Sequence, residues 1–381
     1  MKKSLGMAKK VISGFGVDIS SSEIEVTLDP NQITETKGLI ASTFLDVGIS
    51  FICVSIDEGL EGLRNSLLPK NRVIATLSSS ETPSNLKGLE ELTDTLSINV
   101  DHTSEKCISD ANVIFLSLPG LSKIVTSKNA TRERIKEWYD LKVRCCVEDG
   151  DAELLGGAFG DIAKTDRPDK LYTTVVTTRS GIALGLVYSS KASIIAALQS
   201  GRGVYYSRSR GGLWRKGDTS GCYQILHRID LDCDGDAVRF MVTQMGEVPA
   251  FCHLNTLTCW GNPNGITHLE EVLKDRLVNA VEGSYTRRLF EDGELLRNKM
   301  VEEAQELSEA EEKRHIAEEL ADVLYFAMVR AVKGGVSIDD AVKVLDERSR
   351  KVTRRPGNDK KERIEAAAKI LEGAGRKGEG K

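Results

Sequence analysis

Within the 28 residues from Asp232 to Cys259 the sequence places three alternating carboxylates and three cysteines, as Asp232-Cys233-Asp234-Gly235-Asp236 followed by Cys252-His253 and then Cys259. The spacing is not that of a zinc finger, whose paired cysteines close the ion off. Three soft sulfur ligands leave one position of a tetrahedral Zn²⁺ open, which is the arrangement that activates water. The alternating carboxylates beside them suit a harder ion such as Mg²⁺. Together the two ligand types point to a hydrolase acting on a phosphorylated substrate. In an extended segment Asp232, Asp234 and Asp236 would project to one face and Cys233 to the other. The plainer alternative is an acidic hairpin turn built on Asp-Gly.

Upstream, Tyr206-Ser207-Arg208-Ser209-Arg210 leads through Gly211-Gly212 to Leu213-Trp214-Arg215-Lys216-Gly217-Asp218-Thr219-Ser220-Gly221. Small hydroxyl residues, glycines that let the backbone come close, and cations are the ingredients of a phosphate cradle, although a polar hairpin has a similar composition. A second acidic group comprises Glu302, Glu303 and Glu306 and, after twelve intervening residues, Glu319 and Asp322. On helices these carboxylates fall one turn apart and repel by about 0.2–0.5 kcal/mol per pair unless a cation joins them. A solvated acidic face is the bland reading of the same pattern.

The elements that must position these residues follow from patterning. Apolar runs at 49–56, 73–77, 96–100 and 113–118 are expected to be buried strands spaced as βα units. Strand-type segments at 171–176, 183–188 and 238–242 flank a helix over 191–199 that stops at Ser200-Gly201. Helical periodicity then predicts four helices, at 269–278, 284–310, 316–333 and 338–349, in a small bundle. The expected fold is multidomain. It comprises an α/β domain of unreadable role over 1–160, a β-rich α+β domain over 161–265, an all-α bundle over 266–355 and a disordered tail over 356–381.

A hydrophobic fraction of 40% over 381 residues allows each domain a core, and a net charge of −5 argues against a general nucleic-acid or anionic-membrane binder. No apolar run resembles a signal peptide or a membrane span, so the expected location is cytoplasmic. The cysteines outside the metal pattern, Cys53, Cys107, Cys145, Cys146 and Cys222, are expected to be ordinary small residues rather than disulfides.

The string Thr165-Asp166-Arg167-Pro168-Asp169, the 203–209 segment, the Trp214 to Gly221 turn, the Asp232 to Asp236 acidic segment and Cys252-His253 with Cys259 together resemble phosphoribosyl-AMP cyclohydrolase. Two departures, Asp218 where Glu is usual and Cys222 where Asn is usual, remove no ligand. The resemblance implies Zn²⁺ on Cys233, Cys252 and Cys259, with Cys233 supplied by one subunit of a homodimer and the other two by its partner. It also implies Mg²⁺ on Asp232, Asp234 and Asp236, and substrate contacts from Ser207, Arg208, Trp214, Lys216, Gly217, Thr219, Ser220 and Gly221. His253 is either a proton shuttle or a support for the ligand beside it. The carboxylate helices, with Ser284 to Leu289 ahead and Ala321 to Phe326 after, resemble the all-α pyrophosphohydrolases related to MazG, and phosphoribosyl-ATP pyrophosphohydrolase in particular. That implies Mg²⁺ on Glu302, Glu303, Glu306, Glu319 and Asp322, with Glu306 catalytic and Arg288 and Lys299 on phosphate oxygens. The order is similar to the N-terminal part of fungal multifunctional histidine-biosynthesis proteins, so the substrates implied are phosphoribosyl-ATP and phosphoribosyl-AMP. The histidinol dehydrogenase that follows in many fungi is expected to be absent from 381 residues. A house-cleaning nucleotide hydrolase and a zinc-stabilised scaffold are the alternatives.

Overall fold

The computed structural model describes residues 51–349 except 58–59, 66–67, 78–85, 101–103, 128, 148–151, 248 and 262, together with 11–13, 16–18, 25–28 and 365–370. The expected disordered tail lies outside the described residues apart from 365–370, which are helical. The chain divides into two compact units, the first reaching Gly261 and the second starting at Asn262.

In the first unit β3 (Glu25–Leu28), β4 (Phe51–Ser55), β5 (Val73–Leu77), β6 (Thr95–Asn99), β7 (Ser122–Ser127) and β8 (Arg144–Val147) pair in sequence order, all parallel. Parallel strands covered on both faces read as continuous apolar runs, and successive residues divide between the faces. Ile52 and Val54 join Leu96, Ile98 and Val125 in one core, while Cys53 joins Ile74 and Ile124 in another. The crossovers carry helices α1 (Glu61–Asn65), α2 (Leu89–Leu92), α3 (Glu105–Ser117) and α4 (Arg132–Asp140).

One expected strand is a helix. Residues 113–118 form the end of α3 and the turn after it, and the strand comes later, as β7. Ile108, Ala111, Ile114 and Phe115 are buried at helical spacing, whereas Val113 and Leu116 are 64% and 80% exposed. The Ser104 side chain accepts from the Cys107 N–H at 3.3 Å and starts the helix. A six-residue apolar run cannot by itself separate the two structures.

Strands β1 (Val11–Ser13) and β2 (Gly16–Asp18) extend this sheet into the rest of the unit. Ile12 pairs with Cys145 of β8, and Val17 pairs with Ile229 of β13 (Gln224–Leu231). Beyond β13 follow β14 (Ala237–Gln244), β9 (Tyr172–Thr177), β10 (Ala183–Ser189), β11 (Val204–Ser207) and β12 (Gly212–Arg215). The described strands of 1–160 and 161–265 therefore share one hydrogen-bonded sheet. Helices α5 (Ala152–Ile162) and α6 (Lys191–Ser200) pack together so tightly that a Cβ on Gly156 would lie 2.9 Å from the Ile195 backbone. Asp161 at the end of α5 is held by both Arg132 and Lys191.

The second unit is helical: α7 (Gly265–Asn279), α8 (Tyr285–Glu291), α9 (Gly293–Glu309), α10 (Lys313–Lys333) and α11 (Ile338–Ser349). The single helix expected over 284–310 is two. Asp292 leaves the helical region (φ −101°, ψ 96°), and its carboxylate accepts from the Glu294 and Leu295 N–H groups at 3.0 and 2.9 Å. Periodicity continues across this break because Leu289, Phe290 and Leu296 share one core with Leu273, Phe326 and Val329. No helix among the described residues is long and apolar enough to cross a membrane.

The Asp292 cap sets the start of the helix that carries three of the candidate ligands. Asp292→Ala should destabilise the helical unit by about 1 kcal/mol and Asp292→Asn by much less, because asparagine also caps. Urea denaturation followed by circular dichroism measures the difference.

Candidate metal centres

The helical unit holds the first centre. Oxygens of Glu303 on α9 and of Glu319 and Asp322 on α10 lie within 4.8 Å of one another. Glu303 is buried, with Leu296 and Phe326 in the core of the same helix pair. Lys299, one turn earlier on α9, donates to Glu302 at 2.9 Å and to Glu303 at 2.7 Å. Burial opposes the charge on Lys299, but the hydrogen bonds and charges of Glu303 and Glu302 outweigh it and hold the ammonium above the usual lysine range. Glu306 is pushed the other way. Desolvation, then the charges of Glu303, Glu319 and Glu302, raise its carboxyl above the ordinary value. The expected residues Glu302, Glu303, Glu306, Glu319 and Asp322 thus form one connected group.

Two features of this centre test its fitness for a cation. Glu319 Oε2 is buried and has no hydrogen-bond partner among the described residues. An orphaned carboxylate oxygen beside other carboxylates is a costly arrangement that a divalent ion relieves. The other oxygen, Oε1, lies 3.1 Å from His315 Nε2. Sequence reasoning missed His315, although its position four residues before Glu319 places it on the same helical face. Arg288, expected on phosphate, is exposed on α8 and makes no ion pair among the described residues.

The second centre gathers on β10, on the turn after β12 and on the 251–261 loop. The loop is fixed by its backbone: the Cys252 N–H donates to Thr256 O, the Cys259 N–H donates to Leu184 O at 2.8 Å, and the Thr258 hydroxyl donates to Gly261 O. Gly185 is required at its position because a Cβ there would fall 2.2 Å from the Phe251 ring and 3.0 Å from Cys259 Sγ. The Leu254 N–H, foremost, holds the Cys252 thiol below its ordinary pKa against burial, with Thr256, Cys259 and the His253 N–H assisting. Burial and the Cys252 charge push Cys259 up. The two adjacent sulfurs are thus biased in opposite directions, and as a donor set they suit a soft cation. The His253 ring, exposed, has Nδ1 3.8 Å from Cys252 Sγ.

Lys216 is the buried cation of this centre, 5% exposed, with Nζ 5.5 Å from the Phe251 ring centroid and 5.9 Å from that of Trp214. Burial lowers its pKa, countered by the charges of Cys222, Cys259 and Cys252. The rest of the expected cradle lies along the β11–β12 hairpin and on the turn after it. Gly217 (φ +93°) passes so close to Tyr223 that a Cβ would lie 2.5 Å from its backbone. Thr219, Ser220 and Gly221 are exposed, and Ser220 Oγ accepts from the Cys222 N–H. Across the β11–β12 hairpin, Ser207 Oγ lies 3.2 Å from Ser209 Oγ, and the Arg208 guanidinium stacks 4.1 Å from the Tyr188 ring centroid. Arg167, which sequence reasoning quoted only as part of a motif, stacks on the same ring at 4.4 Å and is fixed by Asp169.

The acidic segment Asp232 to Asp236 is a hairpin turn between β13 and β14, the plainer of the two geometries the sequence allowed, and not an extended stretch. Gly235 (φ +85°) makes the turn, and Asp232 Oδ1 accepts from the Gly235 and Ala237 N–H groups at 3.0 and 3.1 Å. The turn still brings oxygens of Asp232, Asp234 and Asp236 within 4.8 Å of one another. Burial opposes the Asp232 charge, but the N–H donors of Ala237 and Gly235 hold its pKa down, whereas the Asp234 and Asp232 charges raise that of Asp236. Cys233 is exposed on this turn. Among the described residues no group of three ligand atoms at that spacing includes a cysteine, so the chain alone does not join Cys233 to Cys252 and Cys259.

Comparison with known proteins assigns a family to each region. Residues 185–261 match the phosphoribosyl-AMP cyclohydrolase family and residues 266–349 the phosphoribosyl-ATP pyrophosphohydrolase family. The chain is 54% identical over 198 residues to the Schizosaccharomyces pombe histidine biosynthesis bifunctional protein his7, an overlap of 52% of this chain and 47% of that protein. It is 52% identical to the Kluyveromyces lactis histidine biosynthesis trifunctional protein over 52% of this chain and 25% of that protein. The Pyrococcus furiosus histidine biosynthesis bifunctional protein HisIE is 33% identical over 48% of this chain and 93% of its own length. The chain thus spans about half or less of the fungal relatives and nearly all of the archaeal one.

The raised Glu306 carboxyl has a measurable consequence in chelator. Its folded pKa exceeds its unfolded value, so between the two the folded state binds more protons and stability falls as pH rises through that window. Thermal melts of the full chain should show this slope. Glu306→Gln should flatten it, and millimolar Mg²⁺ should raise the melting temperature most on the alkaline side of the window.

Proposed function

The chain belongs to the family of histidine biosynthesis bifunctional proteins that join a phosphoribosyl-AMP cyclohydrolase to a phosphoribosyl-ATP pyrophosphohydrolase, and from that premise we propose that it performs both hydrolyses. Residues 266–355 release pyrophosphate from phosphoribosyl-ATP by adding water at the α–β phosphate linkage. Residues 161–265 then add water across the N1–C6 bond of the adenine in the resulting phosphoribosyl-AMP, opening the ring. The observation that carries this reading is the carboxylate group with its orphaned Glu319 oxygen, lying inside the region that matches the pyrophosphohydrolase family.

At the helical centre Glu302, Glu303, Glu306, Glu319 and Asp322 would hold Mg²⁺. At the β-rich centre Cys252 and Cys259, with Cys233 of a second copy, would hold Zn²⁺, and Asp232, Asp234 and Asp236 a further Mg²⁺. When bound, zinc supplies a nucleophilic oxygen at neutral pH and magnesium neutralises phosphate charge. The chain's own residues do the remainder. Lys216, Ser207, Arg208 and the Gly217 to Gly221 turn orient the phosphorylated substrate, with Trp214 walling the buried ammonium. His253, exposed beside Cys252, moves the proton between solvent and the ring being opened. Glu306, whose carboxyl is raised, accepts a proton from the attacking water in the pyrophosphohydrolase step. The position of Cys233 on a turn that does not join the cysteine pair supports a homodimeric site.

The two activities should separate by mutation and by metal. Glu306→Gln should lower pyrophosphate release by about 100-fold or more while ring opening of phosphoribosyl-AMP continues, and Cys252→Ser should do the reverse. A zinc-selective chelator should stop ring opening first. Loss of both activities in either folded variant would overturn the assignment of separate centres.

Sharing of the cysteine centre is tested with two inactive variants, Cys233→Ser and Cys259→Ser. A dimer containing one of each has one site with both lesions and one with none. Random pairing should therefore restore about a quarter of the wild-type ring-opening rate, half the dimers being mixed and half their sites intact. Zero activity from a purified mixed dimer would show that the site is built within one chain.

A further inference from the structure

The seam between α9 and α10 continues beyond the carboxylates. Glu303 shares a stripe of α9 with Gly293, Leu296 and Met300, at spacings of three and four residues. On α10 Glu319, Asp322, Phe326, Arg330 and Lys333 are spaced in the same way. At the end of the seam away from the acidic group lies an open hollow of about 680 Å³, walled by Leu296 and Met300 and ringed by Arg297, Arg330 and Lys333. No acidic side chain lines it, and none of the three cations makes an ion pair among the described residues.

A helix C-terminus favours cations in its last turn, which accounts for Arg330 and Lys333. It does not account for Arg297, which comes from the start of α9, nor for the hollow that the three surround. The Arg330 guanidinium lies against Gly334, where a Cβ would come within 3.0 Å of Nη1, so a side chain there would crowd the cation. By helical rise Arg297 is about 9 Å from Glu303 along α9, and Arg330 about 12 Å from Asp322 along α10.

Phosphoribosyl-ATP has phosphate at two ends, a triphosphate on one ribose and a single phosphate ester on the other. We propose that this hollow is the subsite for the phosphate monoester of the phosphoribosyl arm, held by Arg297, Arg330 and Lys333 while the triphosphate lies at the carboxylates. The identity of the arm rests on the pyrophosphohydrolase reading above. The subsite makes the centre selective for the phosphoribosylated nucleotide over ATP itself, because a site built of cations for a phosphate loses charge-assisted hydrogen bonds when the ligand lacks one.

The test compares the full wild-type chain with Arg297→Ala/Arg330→Ala and with Lys333→Ala, after melts confirm that each variant is folded. The substrates are phosphoribosyl-ATP and the same molecule lacking the arm phosphate. In the wild type, removing that phosphate should raise KM tenfold or more. The double variant should raise KM for phosphoribosyl-ATP by a similar factor, leave kcat unchanged and leave KM for the dephosphorylated analogue unchanged; Lys333→Ala should do the same to a smaller degree. An equal effect on both substrates, or no effect on either, overturns the subsite. Calorimetric titration with ribose 5-phosphate provides the second arm, with binding expected in the wild type and lost in the double variant. If the wild type cleaves neither nucleotide yet shows that binding pattern, the pyrophosphohydrolase reading fails and the phosphate subsite stands. If the wild type does not bind ribose 5-phosphate and shows no preference for the arm phosphate, the subsite fails.

Discussion

Crowding of like charge is the constraint around which the helical unit is arranged. Three carboxylates within 4.8 Å of one another drive apart the two helices that carry them, and burial of Glu303 makes the repulsion less screened. Packing of Leu296 against Phe326 and Val329 holds α9 and α10 together nonetheless. Lys299 then sets its ammonium against Glu302 and Glu303, while Glu306 relieves its share of the repulsion by favouring its proton. The arrangement is preorganised for a cation because the apolar seam, and not the ion, sets the distance between the helices.

How far this was legible in the sequence depended on whether local pattern or tertiary contact set the geometry. Helical periodicity puts Glu303 near Glu306 and Glu319 near Asp322 whatever the helices pack against, and the resemblance to the pyrophosphohydrolases singled these carboxylates out. The same periodicity ran through Asp292, because Leu289 and Leu296 face one core on either side of a cap. At 113–118 an apolar run at the end of α3 imitated a strand, and the exposure of Val113 and Leu116 that separates the two is a tertiary fact. The Asp232 to Asp236 turn converges its carboxylates through the left-handed Gly235 and not through strand alternation, a geometry that period-two reasoning does not supply. His315 and Arg167 act through partners fixed only in the fold, Glu319 and Tyr188, and no motif singled out the first of them.

The β-rich centre solves the charge problem with different chemistry, and that difference decides which ion each centre suits. In the helical group an ammonium on α9 offsets part of the charge of Glu302 and Glu303, and the apolar seam keeps the remaining carboxylates crowded. The two thiols are instead biased in opposite directions: backbone N–H groups favour the anion at Cys252, and burial with the neighbouring charge favours the proton at Cys259. Lys216 adds a buried positive charge that favours deprotonation of both sulfurs without donating to either in a hydrogen bond. A cation entering there must displace the Cys259 proton, which a soft ion with strong sulfur affinity does and a hard ion does not. The acidic turn and the helical group offer oxygen donors only, which suit a harder ion, so donor chemistry alone distinguishes the two kinds of centre.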